Sequence, residues 1–127
     1  MLLVPTYLAT SKIPDAGLGV FAKEFIAAGT TLWIFHQGLD YVVKKLPEEP
    51  LIAKFITKYG YIPLDGEWRW VMCADDARFM NHSENPSCLD EGETTSAKRD
   101  IQAGEELTCD YRTFCREPFA GFDSGVK

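Results

Sequence analysis

Two stretches tie the rest of the sequence to one arrangement: Arg78-Phe79-Met80-Asn81-His82-Ser83-Glu84-Asn85-Pro86-Ser87-Cys88, and Ala103-Gly104-Glu105-Glu106-Leu107-Thr108-Cys109-Asp110-Tyr111. Neither reads as an ordinary helix or strand interior. The first sets Asn, His and Ser beside an apolar Phe-Met pair and then turns at Asn-Pro; the second opens on a Gly turn and runs as a short strand into Asp-Tyr. Polar groups beside apolar ones, held by turn chemistry, suit the presentation of backbone amides and carbonyls to a ligand. Taken singly, each is as readily a plain turn in an all-β domain.

The flanking sequence is rich in strands and turns. Residues 6–12 read as a strand, Ile13-Pro14-Asp15-Ala16-Gly17 as a turn, Gly19-Val20-Phe21-Ala22 as a second strand and residues 30–35 as a third. Residues 47–59 give the one good helix, with Pro47, Glu48 and Glu49 in its first turn and Gly60 as its cap. Leu51, Ile52, Phe55, Ile56 and Tyr59 fall on one face of it, which predicts that this stripe packs into the core. Trp68 to Met72 alternates like a half-buried strand, and residues 89–95 form an acidic hairpin loop around Gly92. After Tyr111 the tail is aromatic but irregular, with Phe114, Phe119 and Phe122, and is expected to act as a lid. Many short strands with one helix predict a mostly β fold of small curled sheets.

At 127 residues the chain makes a single domain, with a core over about 6–111 and a lid segment over 112–127. Its 46% hydrophobic and 25% charged residues exclude a disordered chain. No apolar run reaches the length of a membrane span, and Met1-Leu2-Leu3-Val4-Pro5 lacks the basic start of a signal peptide. An intracellular, soluble protein is expected, cytoplasmic or, in a eukaryote, nuclear. The net charge of −6 argues against direct nucleic-acid binding, which needs a basic footprint. An acidic surface suits a basic partner, or serves solubility alone. Cys73, Cys88, Cys109 and Cys115 form no C-x-x-C pair and read as reduced, mostly buried thiols, so no metal site is expected.

Together, in this order, the two stretches resemble the SET-domain family of S-adenosylmethionine-dependent protein-lysine methyltransferases. They match its R-F-x-N-H-S-x-x-P and G-E-E-L-x-x-D-Y motifs, and Gly17-Leu18-Gly19-Val20-Phe21-Ala22 looks like its G-x-G-[VL]-F-A. The resemblance runs from about residue 6 to Tyr111. It implies the family's β-clip fold, in which the strand around Leu107–Tyr111 threads beneath a loop near Asn81-His82. It also implies a cofactor, S-adenosylmethionine (AdoMet), with S-adenosylhomocysteine as product. The implied substrate is a lysine-containing protein or peptide, basic and histone-like in its tail, met by a monomer or homodimer.

The reaction itself is an in-line displacement that needs a held cofactor, a neutral amine and alignment of nitrogen, methyl carbon and sulfur. Alignment alone is worth about 7–11 kcal/mol in favourable cases. An apolar channel disfavours the ammonium form of lysine, so the site needs aromatic walls more than a strong base. By resemblance Tyr111 is the catalytic residue, a phenol polar at one end and apolar elsewhere. Gly17, Leu18, Gly19, Asn81 and His82 would hold the cofactor, joined by Arg78, Phe79 and, from the tail, Phe122. Arg78 is also expected to pair with Glu106, and the His82 ring is open to a structural reading.

Cys109 departs from the family, which usually carries Tyr or Phe two residues before the catalytic tyrosine. A cysteine is smaller and a weak donor, so Cys109, Tyr111 and Trp70 would line a channel with room for more than one methyl, unless Trp68, Trp70 or Tyr61 fills the gap. Two other readings stand beside this one. One is a non-catalytic module of the same fold that binds a basic tail. The other is a thiol enzyme using Cys109 or Cys115, which lacks a basic partner beside either thiol.

Overall fold

Strand β9, Glu106–Cys109, lies at the centre of the architecture, because both of its edges are taken by segments remote in sequence. The computed structural model describes residues 1–116. Its strands are β1 (Thr6–Thr10), β2 (Leu18–Ala22), β3 (Thr31–Ile34), β4 (Tyr41–Val43), β5 (Trp70–Met72), β6 (Asn81–His82), β7 (Cys88–Asp90) and β8 (Thr94–Ala97), with one α-helix, α1 (Pro50–Tyr59), before β5. They form a four-stranded sheet ordered β1-β2-β9-β6, a three-stranded sheet β3-β8-β7 and a β4-β5 pair. This is the expected mostly β arrangement of several small sheets with one main helix.

One edge of β9 pairs antiparallel with β2, in register Val20↔Leu107, and the other pairs parallel with β6, Asn81↔Thr108 and His82↔Cys109. The loop after β6 adds further clamps. Ser87 Oγ donates to the Glu106 carbonyl at 3.0 Å and accepts from the Thr108 amide at 3.0 Å. The β9 backbone is therefore satisfied on both sides, which a buried strand requires. Its side chains anchor the core: Leu107 is fully buried with Val20, Leu32 and Ile101. Each such side chain stabilises the fold by about 1.5–3 kcal/mol through burial.

The helix differs from expectation in two ways. It begins at Pro50 rather than Pro47, with the Glu49 side chain accepting from the Leu51 amide. The physical reason is Pro50 itself, which disfavours helical geometry at the preceding residue, and Glu49 is extended. The expected core stripe is also largely uncovered: Ile56 is buried, but Leu51, Ile52 and Phe55 are 76%, 52% and 47% exposed. Periodicity groups these residues on one face, but only Ile56 and Tyr59, whose ring meets Phe79 at 5.5 Å, have the body of the protein against them. At the helix end Gly60 N–H bonds the Ile56 carbonyl at 2.7 Å. A Cβ there would fall 2.7 Å from both that oxygen and Met72 Sδ, so Gly60 lets the chain pass close to β5.

The hairpin around Gly92 appears as expected, β7 pairing with β8 and Gly92 in the left-handed region at φ 95°. Beyond Tyr111 the chain turns in a 3-10 helix over Tyr111–Thr113 and returns along residues 61–63, Arg116 N–H bonding the Ile62 carbonyl at 2.8 Å. Phe119 and Phe122, expected in the lid, lie outside the described residues. Among the described residues no helix is long and apolar enough to cross a membrane.

Candidate functional site

The three sequence motifs converge on Glu106. Its carboxylate accepts from Ser11 Oγ at 2.8 Å, from the Lys12 amide at 2.9 Å and from Asn81 Nδ2 at 3.2 Å. Asn81 Nδ2 also donates to the Leu18 carbonyl at 2.9 Å, so one buried amide ties the first stretch to the second and to the Gly-Leu-Gly strand. Gly17 sits at φ 76°, where L side chains are strained. Gly19 has a different role: a Cβ would lie 2.5 Å from Glu106 Oε2, so its bare backbone makes room for that carboxylate.

The expected Arg78–Glu106 ion pair is absent, because Glu106 is held by Ser11, Lys12 and Asn81. Arg78 instead lies over the Phe79 ring at 4.6 Å and donates Nη1 to the Asp75 carbonyl at 3.0 Å. Phe79 is half-buried between this guanidinium and the Tyr59 ring.

Tyr111 is positioned from three directions. Its backbone N–H donates to His82 Nδ1 at 3.0 Å, its ring lies 5.3 Å from the His82 ring, and its hydroxyl donates to the Met80 carbonyl. Asp110 caps the turn that carries Tyr111, accepting from the Arg112 amide at 3.0 Å. The Arg112 guanidinium, 2.7 Å from Asp110 Oδ2, holds the Asp110 carboxyl down at about 2. Burial pushes the Tyr111 phenol well above its ordinary value, so it stays neutral and remains a hydrogen-bond donor.

Tyr111 borders a cavity whose other walls include Trp33, Tyr61, Cys109 and Phe114. The Phe114 ring stands edge-on to Tyr61 at 5.2 Å and to Tyr111 at 5.9 Å, a preferred aromatic geometry. The Cys109 thiol is buried against Cys88, whose hydrogen bond and the burial around it raise the Cys109 thiol well above its usual range. Of the aromatic residues considered for this channel, Tyr61 lines the cavity and Trp68 and Trp70 do not. Trp70 instead packs edge-on against Trp68 at 6.1 Å on the β4-β5 ribbon.

Several members of this wall escape the sequence motifs. Trp33, Thr95 and Asp90 lie side by side across the three-stranded sheet, Trp33↔Thr95 and Asp90↔Thr95, and all three line the cavity. Asp90 resembles its acidic neighbours Glu91 and Glu93 in composition. The signal that separates it is the two-residue period of a strand, which puts it on the same face as buried Cys88 and leaves Leu89 outside. Burial raises the Asp90 carboxyl to about 6. Trp33 Nε1 and Arg78 Nε are buried and without a hydrogen-bond partner among the described residues.

The SET domain family matches this chain over residues 17–112. Histone-lysine N-methyltransferase ash1 of Drosophila melanogaster is 30% identical in an alignment covering 84% of this chain and 5% of that protein. Among solved structures, Chaetomium thermophilum Polycomb Repressive Complex 2 in an autoinhibited conformation bound to S-adenosylmethionine superposes with a TM-score of 0.68 at 21% identity, over 90% of this chain and 16% of that one. A humanized mutant of the same complex bound to the inhibitor GSK126 gives 0.67 at 22%, with the same coverage. The chain thus spans a small part of each of these proteins, and the structural likeness speaks to the fold.

Proposed function

The chain belongs to the SET-domain family, and from that premise we propose that it transfers a methyl group from AdoMet to a lysine side-chain amine of a basic protein or peptide. The observation that carries this reading is Tyr111: a neutral, buried phenol at the wall of an aromatic cavity, fixed through both its backbone and its hydroxyl. AdoMet, when bound, supplies a methyl group activated by its sulfonium.

The remaining chemistry falls to this chain's own residues. Gly17, Leu18 and Gly19 with Asn81 and His82 would hold the cofactor, joined by Arg78 and Phe79 from just upstream of that pair. The unpartnered, buried Arg78 Nε suits a ligand that brings acceptor oxygens, which supports the fit. The Asn81 side-chain donors are already engaged with Leu18 and Glu106, so Asn81 would meet the cofactor through its backbone or carbonyl oxygen. Tyr111 orients the reacting groups, and the apolar walls of Trp33, Tyr61 and Phe114 exclude water and favour the neutral amine.

Incubation with labelled AdoMet and a panel of basic proteins, histones among them, tests the proposal. Label appearing on lysine supports it. Failure of the intact chain to bind AdoMet or to label any basic protein would remove it and favour a binding module of the same fold.

A further inference from the structure

Asp90 is the acidic group that opens into the cavity, and among the described residues no cation pairs with it. It ends β7 on the inner face of the strand and lines the same space as Tyr111, Cys109 and Tyr61. Its oxygens accept from two neutral donors, Gly92 N–H to Oδ1 at 2.8 Å and Thr95 Oγ1 to Oδ2 at 3.0 Å. Arg78, which borders the cavity, forms no ion pair with Asp90: it lies over Phe79 and donates Nη1 to the Asp75 carbonyl, and its Nε is unpartnered among the described residues.

A carboxylate drawn from water without a counter-charge is unfavourable unless something else compensates it. The two donors leave lone pairs on both oxygens free to accept more. The cavity that Asp90 lines is walled by aromatic rings, whose faces attract cations and offer an anion little. We infer that Asp90 captures the incoming amine in its protonated form, before that amine gives up its proton to solvent for the transfer, setting this cavity to accept cationic, lysine-like side chains over neutral ones of the same length. The identification of that cation as a lysine rests on the methyltransferase reading above; the preference for a cation rests on the cavity alone. Burial, which raises the Asp90 carboxyl to about 6, still leaves it ionised at neutral pH.

The test uses n-butylammonium and 1-butanol, which share the length of a lysine side chain and differ in charge, titrated separately into the intact chain and followed by NMR. The wild type should bind n-butylammonium about tenfold or more tightly over 1-butanol, the size of a charge-assisted hydrogen bond. Asp90→Asn keeps an acceptor for Gly92 N–H and should abolish that preference while binding 1-butanol as before. Asp90→Ser serves if the first variant does not fold. Thr95→Val, which removes a hydrogen bond but not the charge, should retain the preference. A wild type that does not distinguish the two probes, or a preference that survives in the neutral variants, overturns the inference. A wild type that prefers n-butylammonium yet labels no basic protein would refute the methyltransferase reading and leave the cation site intact.

Discussion

The carboxylate of Glu106 occupies the space a side chain at Gly19 would need, since a Cβ there would fall 2.5 Å from Glu106 Oε2. Three donors, from Ser11, Lys12 and Asn81, fix that carboxylate where it is. Gly19 and Glu106 are therefore two halves of one packing solution that joins β2 to β9.

Gly19→Ala should thus destabilise the fold, because the carboxylate cannot swing away without releasing its donors. An overpacked site of this kind costs about 1–3 kcal/mol. A denaturant midpoint matching the wild type would show that Glu106 yields freely.

Asp90 should weaken the fold at neutral pH. Its carboxyl titrates near 3.8 in the unfolded chain and at about 6 in the folded one. Between those values the folded protein holds the Asp90 proton more tightly, so this group's contribution to stability is greatest below about pH 4 and falls as pH rises to about 6. The loss is on the order of 3 kcal/mol across that window, with Glu91, the nearby charge, adding to the shift. The stability difference between wild type and Asp90→Asn, followed from pH 4 to pH 8, should change by about that amount in favour of the variant. Parallel curves would show that Asp90 is not held up by burial.

His82 acts on Tyr111 through its backbone. The Tyr111 N–H donates to His82 Nδ1, so the ring must present that nitrogen unprotonated. His82→Ala leaves a partly buried donor without this acceptor and should cost about 1–3 kcal/mol. An unchanged melting temperature would mean the ring does not support the turn.

Cys109 leaves more room beside Tyr111 than a tyrosine or phenylalanine would, although Tyr61 and Phe114 close part of the space. The wild type should place more than one methyl on a peptide lysine. Mass spectra showing only monomethyl product under excess AdoMet would show that these two rings fill the gap.

Much of this fold was legible in the sequence because turn chemistry is local. The Gly92 turn and the strands around residues 18–22 and 106–109 follow from residue type and period. The fate of the helix stripe was not, since whether Leu51 and Phe55 are covered depends on elements far along the chain. Arg78 was misassigned to Glu106 for a similar reason. Complementary charge suggested the pair, whereas the donors that hold the carboxylate include a serine hydroxyl and a backbone amide, which carry no charge signal. The motifs led to Tyr111 and Cys109. Trp33, Thr95 and Asp90, also in the wall, come from the register of three strands, which sequence alone does not specify.

The central claim is that the hydroxyl of Tyr111, its proton donated to the Met80 carbonyl, works on the reacting groups through its oxygen and leaves the cofactor's affinity untouched. Tyr111→Phe should therefore bind AdoMet with nearly the wild-type dissociation constant while single-turnover methyl transfer falls by about 10²-fold or more, the scale lost when one positioned polar group is removed. Transfer at the wild-type rate, with AdoMet still bound, would contradict it.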